Sequence, residues 1–299
     1  MTLRNETDAP LSDVPINLFS SRRSRLFVGR RGIVASTIST VLIVAVIVGL
    51  LYIPKGGATV RFTFFNPHYL WLSFVGDPSH GIDAIRDGLV TNIWMFLVSE
   101  VLVLFFGLLI AWCRISQSPV LFPFRVLATA FTDIFRGIPV LLVVLLVGFG
   151  LPQLQFGFIS DQSPAVYGVV ALTLGYSAYV SEVIRAGIYS VPTGQLHAAR
   201  SLGLSHPSTM RHVVLPQAIR NVIPPLLNDF ISLQKDTALV SVLGAVESVR
   251  AAQIFAAADF NESGLVVAAM FFLVLTIPMT RLTDRLVARD RGRRLALIL

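Results

Sequence analysis

His197-Ala-Ala-Arg-Ser-Leu-Gly-Leu-Ser-His-Pro-Ser-Thr-Met-Arg-His-Val-Val-Leu-Pro216 is polar and basic, yet apolar sequence of membrane length lies on either side of it. Small residues stand at Ala198 and Ala199, a glycine at Gly203 and a Leu-Pro pair at Leu215 and Pro216. The pattern predicts a short helix, a glycine break, a second helical piece and a proline that opens a new segment. Two readings are open locally: a docking loop, or an ordinary cytoplasmic linker. The rest of the chain decides between them.

Only 14% of the 299 residues are charged and 54% are hydrophobic. Globular domains carry about 25% charged residues, so much of this surface is expected to face lipid. The net charge of +7 would suggest nucleic acid in a soluble protein. Here the arginines lie between apolar runs, and membrane orientation is the better explanation. Cys113 is the single cysteine, so no intrachain disulfide can form.

Residues 1–32 read as a cytoplasmic tail ending in Arg22, Arg23, Arg25, Arg30 and Arg31. Residues 33–53 form an apolar run long enough to cross a bilayer and read as a retained anchor. Residues 54–85 read as an external loop rich in interfacial aromatics, followed by a second span at 89–112 that contains Glu100. That carboxylate either lines a pathway or is a buried hydrogen-bonding group. A third span, 126–150, is interrupted by Arg136-Gly137-Ile138-Pro139, where a kink or break is expected. The fourth, 164–191, carries small residues that allow close helix approach, and Glu182 and Arg185 can pair on one face. The fifth, 217–244, holds Asn228, Asp229, Gln234, Lys235 and Asp236, which must face a partner, a cavity or an opposite charge. Residues 245–262 read as a polar loop or short amphipathic helix, and 265–282 as the last span. The fold expected is therefore an all-α membrane protein with six transmembrane helices and both termini in the cytoplasm. With that topology nineteen basic residues fall on the inner side and four on the outer, which fixes the orientation and puts 192–216 in the cytoplasm.

Enzyme signatures are missing. The sequence has no phosphate-binding Gly-x-x-x-x-Gly-Lys-Ser/Thr, no His-Glu-x-x-His and no Gly-x-Ser-x-Gly. The five histidines lack ligand spacing, and Asp229 and Asp236, two helical turns apart, read as a polar stripe rather than a catalytic dyad.

His197-Ala-Ala, three residues, Gly203, nine residues and Val213-x-Leu215-Pro216 together resemble the Glu-Ala-Ala-x3-Gly-x9-Ile-x-Leu-Pro motif of binding-protein-dependent ABC import permeases. Phe135–Pro139, Glu182–Gly194, Val214–Ile219 and Lys235–Val242 look like the branch that imports polar amino acids. The resemblance covers roughly residues 86–287, a type I importer core of five helices, with the first helix an addition and 288–299 a basic cytoplasmic tail. His197 replaces the family glutamate and Val213 the isoleucine.

That resemblance implies a permease in the cytoplasmic membrane that moves a polar amino acid. A separate ATPase dimer would use ATP and Mg, so this chain needs no cofactor or metal of its own. A second permease subunit, identical or related, and an external solute-binding protein complete the assembly; nucleic acid has no part. His197, Ala198, Ala199, Gly203, Leu204, Leu215 and Pro216 would form the coupling helix that enters a groove on the ATPase. Arg136, Glu182, Asn228, Asp229, Gln234, Lys235 and Asp236 are the candidates for the substrate pathway. Each of the latter also has a plainer role, such as Glu182 pairing with Arg185. A membrane-embedded enzyme and a scaffold that recruits a soluble partner are the competing classes.

Overall fold

The computed structural model describes residues 30–52, 55–77 and 83–296. Most of the expected amino-terminal tail, residues 1–29, and the last three residues of the carboxyl-terminal tail lie outside the described residues. The described residues form thirteen α-helices joined by short turns, with no strand among them. Three of these helices are long and apolar enough to cross a membrane, or up to five if each of two bent pairs counts as one span.

The chain divides into two compact units, residues 1–61 and 62–299. In the first, α1 (Arg30–Tyr52) carries the additional apolar run, and α2 (Lys55–Phe65) begins three residues after it. The Arg61 guanidinium covers the Tyr52 ring 4.1 Å from its centroid.

In the second unit, α3 (Pro67–Val75) starts with Asn66 as its cap, whose side chain accepts from the His68 N–H, and with Pro67 in the first turn. The described residues of the segment 54–85, expected as a loop, are thus largely helical. Pro67 and Gly76 open and close α3, and Gly56 and Gly57 lie within α2. The span α4 (Ile85–Ile115) is longer than expected, and α8 (Pro164–Tyr189) matches its expectation closely. Between them, α5 (Phe122–Gly137) and α6 (Val140–Gln153) meet at an angle of 109°. The bend falls at the predicted Arg136–Pro139 break, where Pro139 has no N–H to continue the helix. A single turn, α7 (Gly157–Ser160), leads into α8.

After α8 come α9 (Thr193–Ser201), α10 (His206–Thr209), a π-helical stretch (Met210–Val214) and α11 (Leu215–Asp236), which runs on as a 3-10 segment (Thr237–Leu243). Pro216 does not open a separate helix as the local pattern predicted. It lies in the first turn of α11, inside a helical run that extends from His206 to Leu243. In a regular α-helix its ring would clash with the His212 carbonyl, and the wider π turn just before it makes room. Then α12 (Ser248–Asp259) and α13 (Ser263–Ala296) finish the fold.

The core lies where α4, α8 and α11 meet. Met95, Phe96 and Val103 pack on Leu172, Tyr176 and Val180 and on Leu233 and Val240. Between helices surrounded by lipid the hydrophobic effect gives little, so close packing holds them. Gly168 faces Val240 and Gly187 faces Val222, contacts that a Cβ on either glycine would block. These two contacts also set the antiparallel course of α8 and the α11 rod. One end of the bundle carries α9 and α10; the other carries the start of α8, the end of the 3-10 segment and α12.

Candidate functional site

The segment 193–214 is a folded platform. The main chain leaves α9 through Gly203, whose φ of +81° lies in the left-handed region that a Cβ disfavours. Gly203 N–H donates to Arg200 O at 2.9 Å and Leu204 N–H to Ala199 O at 3.2 Å. This pair of bonds is a Schellman ending, and it satisfies carbonyls that a helix terminus leaves free. Ala199 is buried, while Leu196 and Met210 pack on Val191, Val214 and Ala218. Arg200 Nη2 approaches His206 Nδ1 at 3.3 Å and ties α9 to α10.

His197, Ala198, Gly203, Leu215 and Pro216 are exposed on this platform, Leu204 is half-buried and Ala199 faces inward. Leu202 is the large apolar side chain of the platform most turned outward, 84% exposed. Sequence reasoning passed over it. The signal was its place just before Gly203, where a Schellman ending leaves a side chain pointing away from the helix it closes.

Above the platform, three arginines converge on Glu182. Arg114 Nη1, from the end of α4, donates to Oε2 at 2.8 Å. Arg185 Nη2, one turn along α8, meets Oε1 at 2.6 Å, the pairing its spacing predicted. Arg136, just before the 109° break, stands 3.8 Å from Oε2. Two candidates, Arg136 and Glu182, are thus brought together, but as a tie between α4, α5 and α8. Thr132 Oγ1, 3.3 Å from Ser181 Oγ, adds a second link between α5 and α8.

The other candidates lie along α11 and point different ways. Gln234 is buried, and its Oε1 accepts from Thr276 Oγ1 of α13 at 3.1 Å. Asp236 Oδ2 accepts from Tyr176 Oη at 2.7 Å. Asp229, two turns earlier on the same face, has a buried Oδ2 with no hydrogen-bond partner. Glu100 of α4 lies within electrostatic reach of Asp229. Asn228 and Lys235, also seven apart, are exposed on a separate face of the rod. Tyr176 was missed in the sequence because a tyrosine among apolar residues reads as core.

At the opposite end of the bundle a second polar knot is fully buried. Glu247 caps α12, its Oε1 accepting from Arg250 N–H at 2.8 Å and its Oε2 from Val249 N–H at 2.9 Å. Asn92 Nδ2 of α4 donates to Glu247 Oε2 at 3.0 Å and to Thr237 Oγ1 at 3.1 Å, and Asn92 Oδ1 accepts from Ser248 N–H at 3.0 Å. Gly88 presses directly on the Glu247–Ser248 peptide.

The geometry is that of a helical bundle with a folded, exposed platform at one end, a charged tie above it and an acidic stripe along its core. Solved structures share the fold. A crystal structure of an amino acid ABC transporter with histidines aligns with a TM-score of 0.62 and 34% identity, over 69% of this chain and 93% of that one. An inward-facing MetNI methionine ABC transporter aligns at 0.52 with 19% identity, over 75% and 99%, a likeness of fold. The arginine transport system permease protein ArtQ of Bacillus subtilis is 39% identical over 200 residues, 67% of this chain and 89% of that protein. The probable glutamine ABC transporter permease protein GlnP of the same organism is 37% identical over 209 residues, 68% and 93%. The model of the binding-protein-dependent transport system inner membrane component family matches residues 103–292. The chain belongs to that family, and is a multi-pass inner-membrane permease of a binding-protein-dependent transport system.

Proposed function

We propose that the chain is the permease subunit of an ABC importer for a polar amino acid, working with a separate ATPase dimer, a second permease subunit and an external binding protein. The chain holds six spans with both termini in the cytoplasm. ATP and Mg are used by the ATPase, and this chain contributes neither a cofactor site nor catalysis. The substrate class rests on relatives whose names specify arginine and glutamine transport.

One observation carries the reading: a folded platform, 193–214, is joined without slack to two rods. Only Ser190, Val191 and Pro192 separate α8 from α9, and the helical run into α11 starts at His206. A displacement of the platform is therefore delivered to both helices, as alternating access requires. His197, Ala198, Gly203, Leu204, Leu215 and Pro216 border the docking surface, Ala199 supports it from beneath, and Leu202 is its apolar anchor. The pathway candidates narrow to Asn228, Asp229 and Lys235, since Arg136, Glu182, Gln234 and Asp236 hold other elements together.

The test is reconstitution in liposomes with the cognate ATPase and binding protein. Uptake of labelled arginine or glutamine should require ATP. Gly203→Val, which forces a β-branched residue into a conformation costing about 1–2 kcal/mol, should still co-purify with the ATPase but import at least several-fold more slowly. Failure to form a complex, together with unchanged uptake by Gly203→Val, would leave the enzyme or scaffold reading in its place.

A further inference from the structure

At the end of the bundle away from the platform lies a pocket of about 330 Å³, lined by Ser241, Val242, Leu243, Gly244, Arg250 and Gln253. It has room for a free amino acid. Its two sides carry opposite polarity. On one stands Arg250, in the first turn of α12, exposed and joined among the described residues only to Gln253 Oε1 at 3.4 Å. No ion pair among the described residues involves it. The neighbouring carboxylate, Glu247, cannot serve as its counter-ion. That group is fully buried and already accepts from Asn92, Val249 N–H and Arg250 N–H, so it fixes the Arg250 backbone and leaves the guanidinium free.

The other side is the end of the 3-10 segment. Gly244, with φ of +87°, stops the helix, and its N–H takes the Ser241 carbonyl. Among the described residues no donor reaches the carbonyls of Val242 or Leu243. These last carbonyls of a long helical run carry its partial negative charge. Arg250 and the two residues whose carbonyls have no donor among the described residues thus line one amino-acid-sized space.

We propose that this pocket receives the zwitterionic end of the imported amino acid as it leaves the binding protein. Arg250 pairs with the α-carboxylate, and the Val242 and Leu243 carbonyls accept from the α-ammonium. The site reads the part common to all amino acids and leaves the side chain to the binding protein. The proposal rests on the transport reading above, which puts this end of the bundle outside the cell.

The experiment measures uptake of labelled L-arginine and L-glutamine by the full transporter in liposomes at saturating binding protein. Affinity of the binding protein for the transporter is measured alongside. Arg250→Gln should slow uptake about ten- to a hundredfold, the loss expected for one charge-assisted hydrogen-bonded pair, with binding-protein affinity unchanged. Arg250→Lys should recover part of the rate and controls for any folding defect in the first variant. Uptake by Arg250→Gln equal to wild type overturns the proposal. So does a defect that saturating binding protein abolishes while its affinity falls, since Arg250 would then be a protein-docking contact. A wild-type complex that carries neither of these nor any other polar amino acid instead overturns the transport reading itself.

Discussion

Glu182 stands between Arg114, Arg136 and Arg185, an excess of positive charge held by one carboxylate. Removing it leaves three guanidiniums to repel one another across the α4, α5 and α8 junction. Glu182→Gln should lower stability by about 1–2 kcal/mol, less than a fully buried pair would give because solvent reaches Arg136 and Arg185. Thermal unfolding of the purified protein in detergent measures it. Arg136→Gln should cost under about 0.5 kcal/mol, because that contact is long and exposed. Of this cluster only the Glu182–Arg185 pair was legible in the sequence, three residues apart on one helix. Arg114 lies 68 residues from Glu182 and reaches it only because α4 packs along α8. Spacing along the chain carries no trace of such a partner. Asp236 is alike: it read as a polar stripe, and its bond to Tyr176, 60 residues away, followed only from helix packing.

At the scale of elements, the contact between α4 and α12 depends on Gly88. A Cβ there would come within 2.6 Å of the Glu247 carbonyl carbon and the Ser248 nitrogen, atoms of a main chain that cannot yield. Gly88→Ala should therefore force the helices apart and disrupt the buried Asn92–Glu247 knot, costing about 1–3 kcal/mol. Gly137 meets nothing within 4 Å, and Gly137→Ala should be neutral within about 1 kcal/mol. Paired thermal melts of the two variants separate crowding from loss of a glycine as such. The α5–α6 break was legible because Gly137 and Pro139 act locally. The helices within 54–85 were not, since the same residue types that end helices also cap and start them, as Asn66 and Pro67 do. Pro216 shows the limit from the other side. Its position was read as a boundary, but the π turn over Met210–Val214 absorbs it within one rod.

Across the whole molecule, two polar centres sit at opposite ends of a packed bundle. One is the platform with its arginine tie; the other is the Glu247 knot beside the Arg250 pocket. Rods α8 and α11 connect them, with the acidic stripe of Asp229 and Asp236 between. On the function and the pocket proposed above, energy enters at the platform and substrate at the pocket, and the rods would make the two events one transition. The platform was legible because its spacing of Ala198, Ala199, Gly203 and Pro216 is local, and its helix–glycine–helix form follows from those residues. Its outward apolar contact was not, since Leu202 and Leu204 differ only in which side of the Schellman ending they occupy.

The central claim, that 193–214 docks on the ATPase, is tested most directly by cross-linking in the assembled transporter. In a Cys113→Ser background, Leu202→Cys on the platform and Phe158→Cys at the other end, both largely exposed, are treated with a short bifunctional thiol-reactive linker. Cross-links from Leu202→Cys to the ATPase, with none from Phe158→Cys, are the predicted result. Absence of a product from Leu202→Cys, or equal products from both positions, would contradict the account.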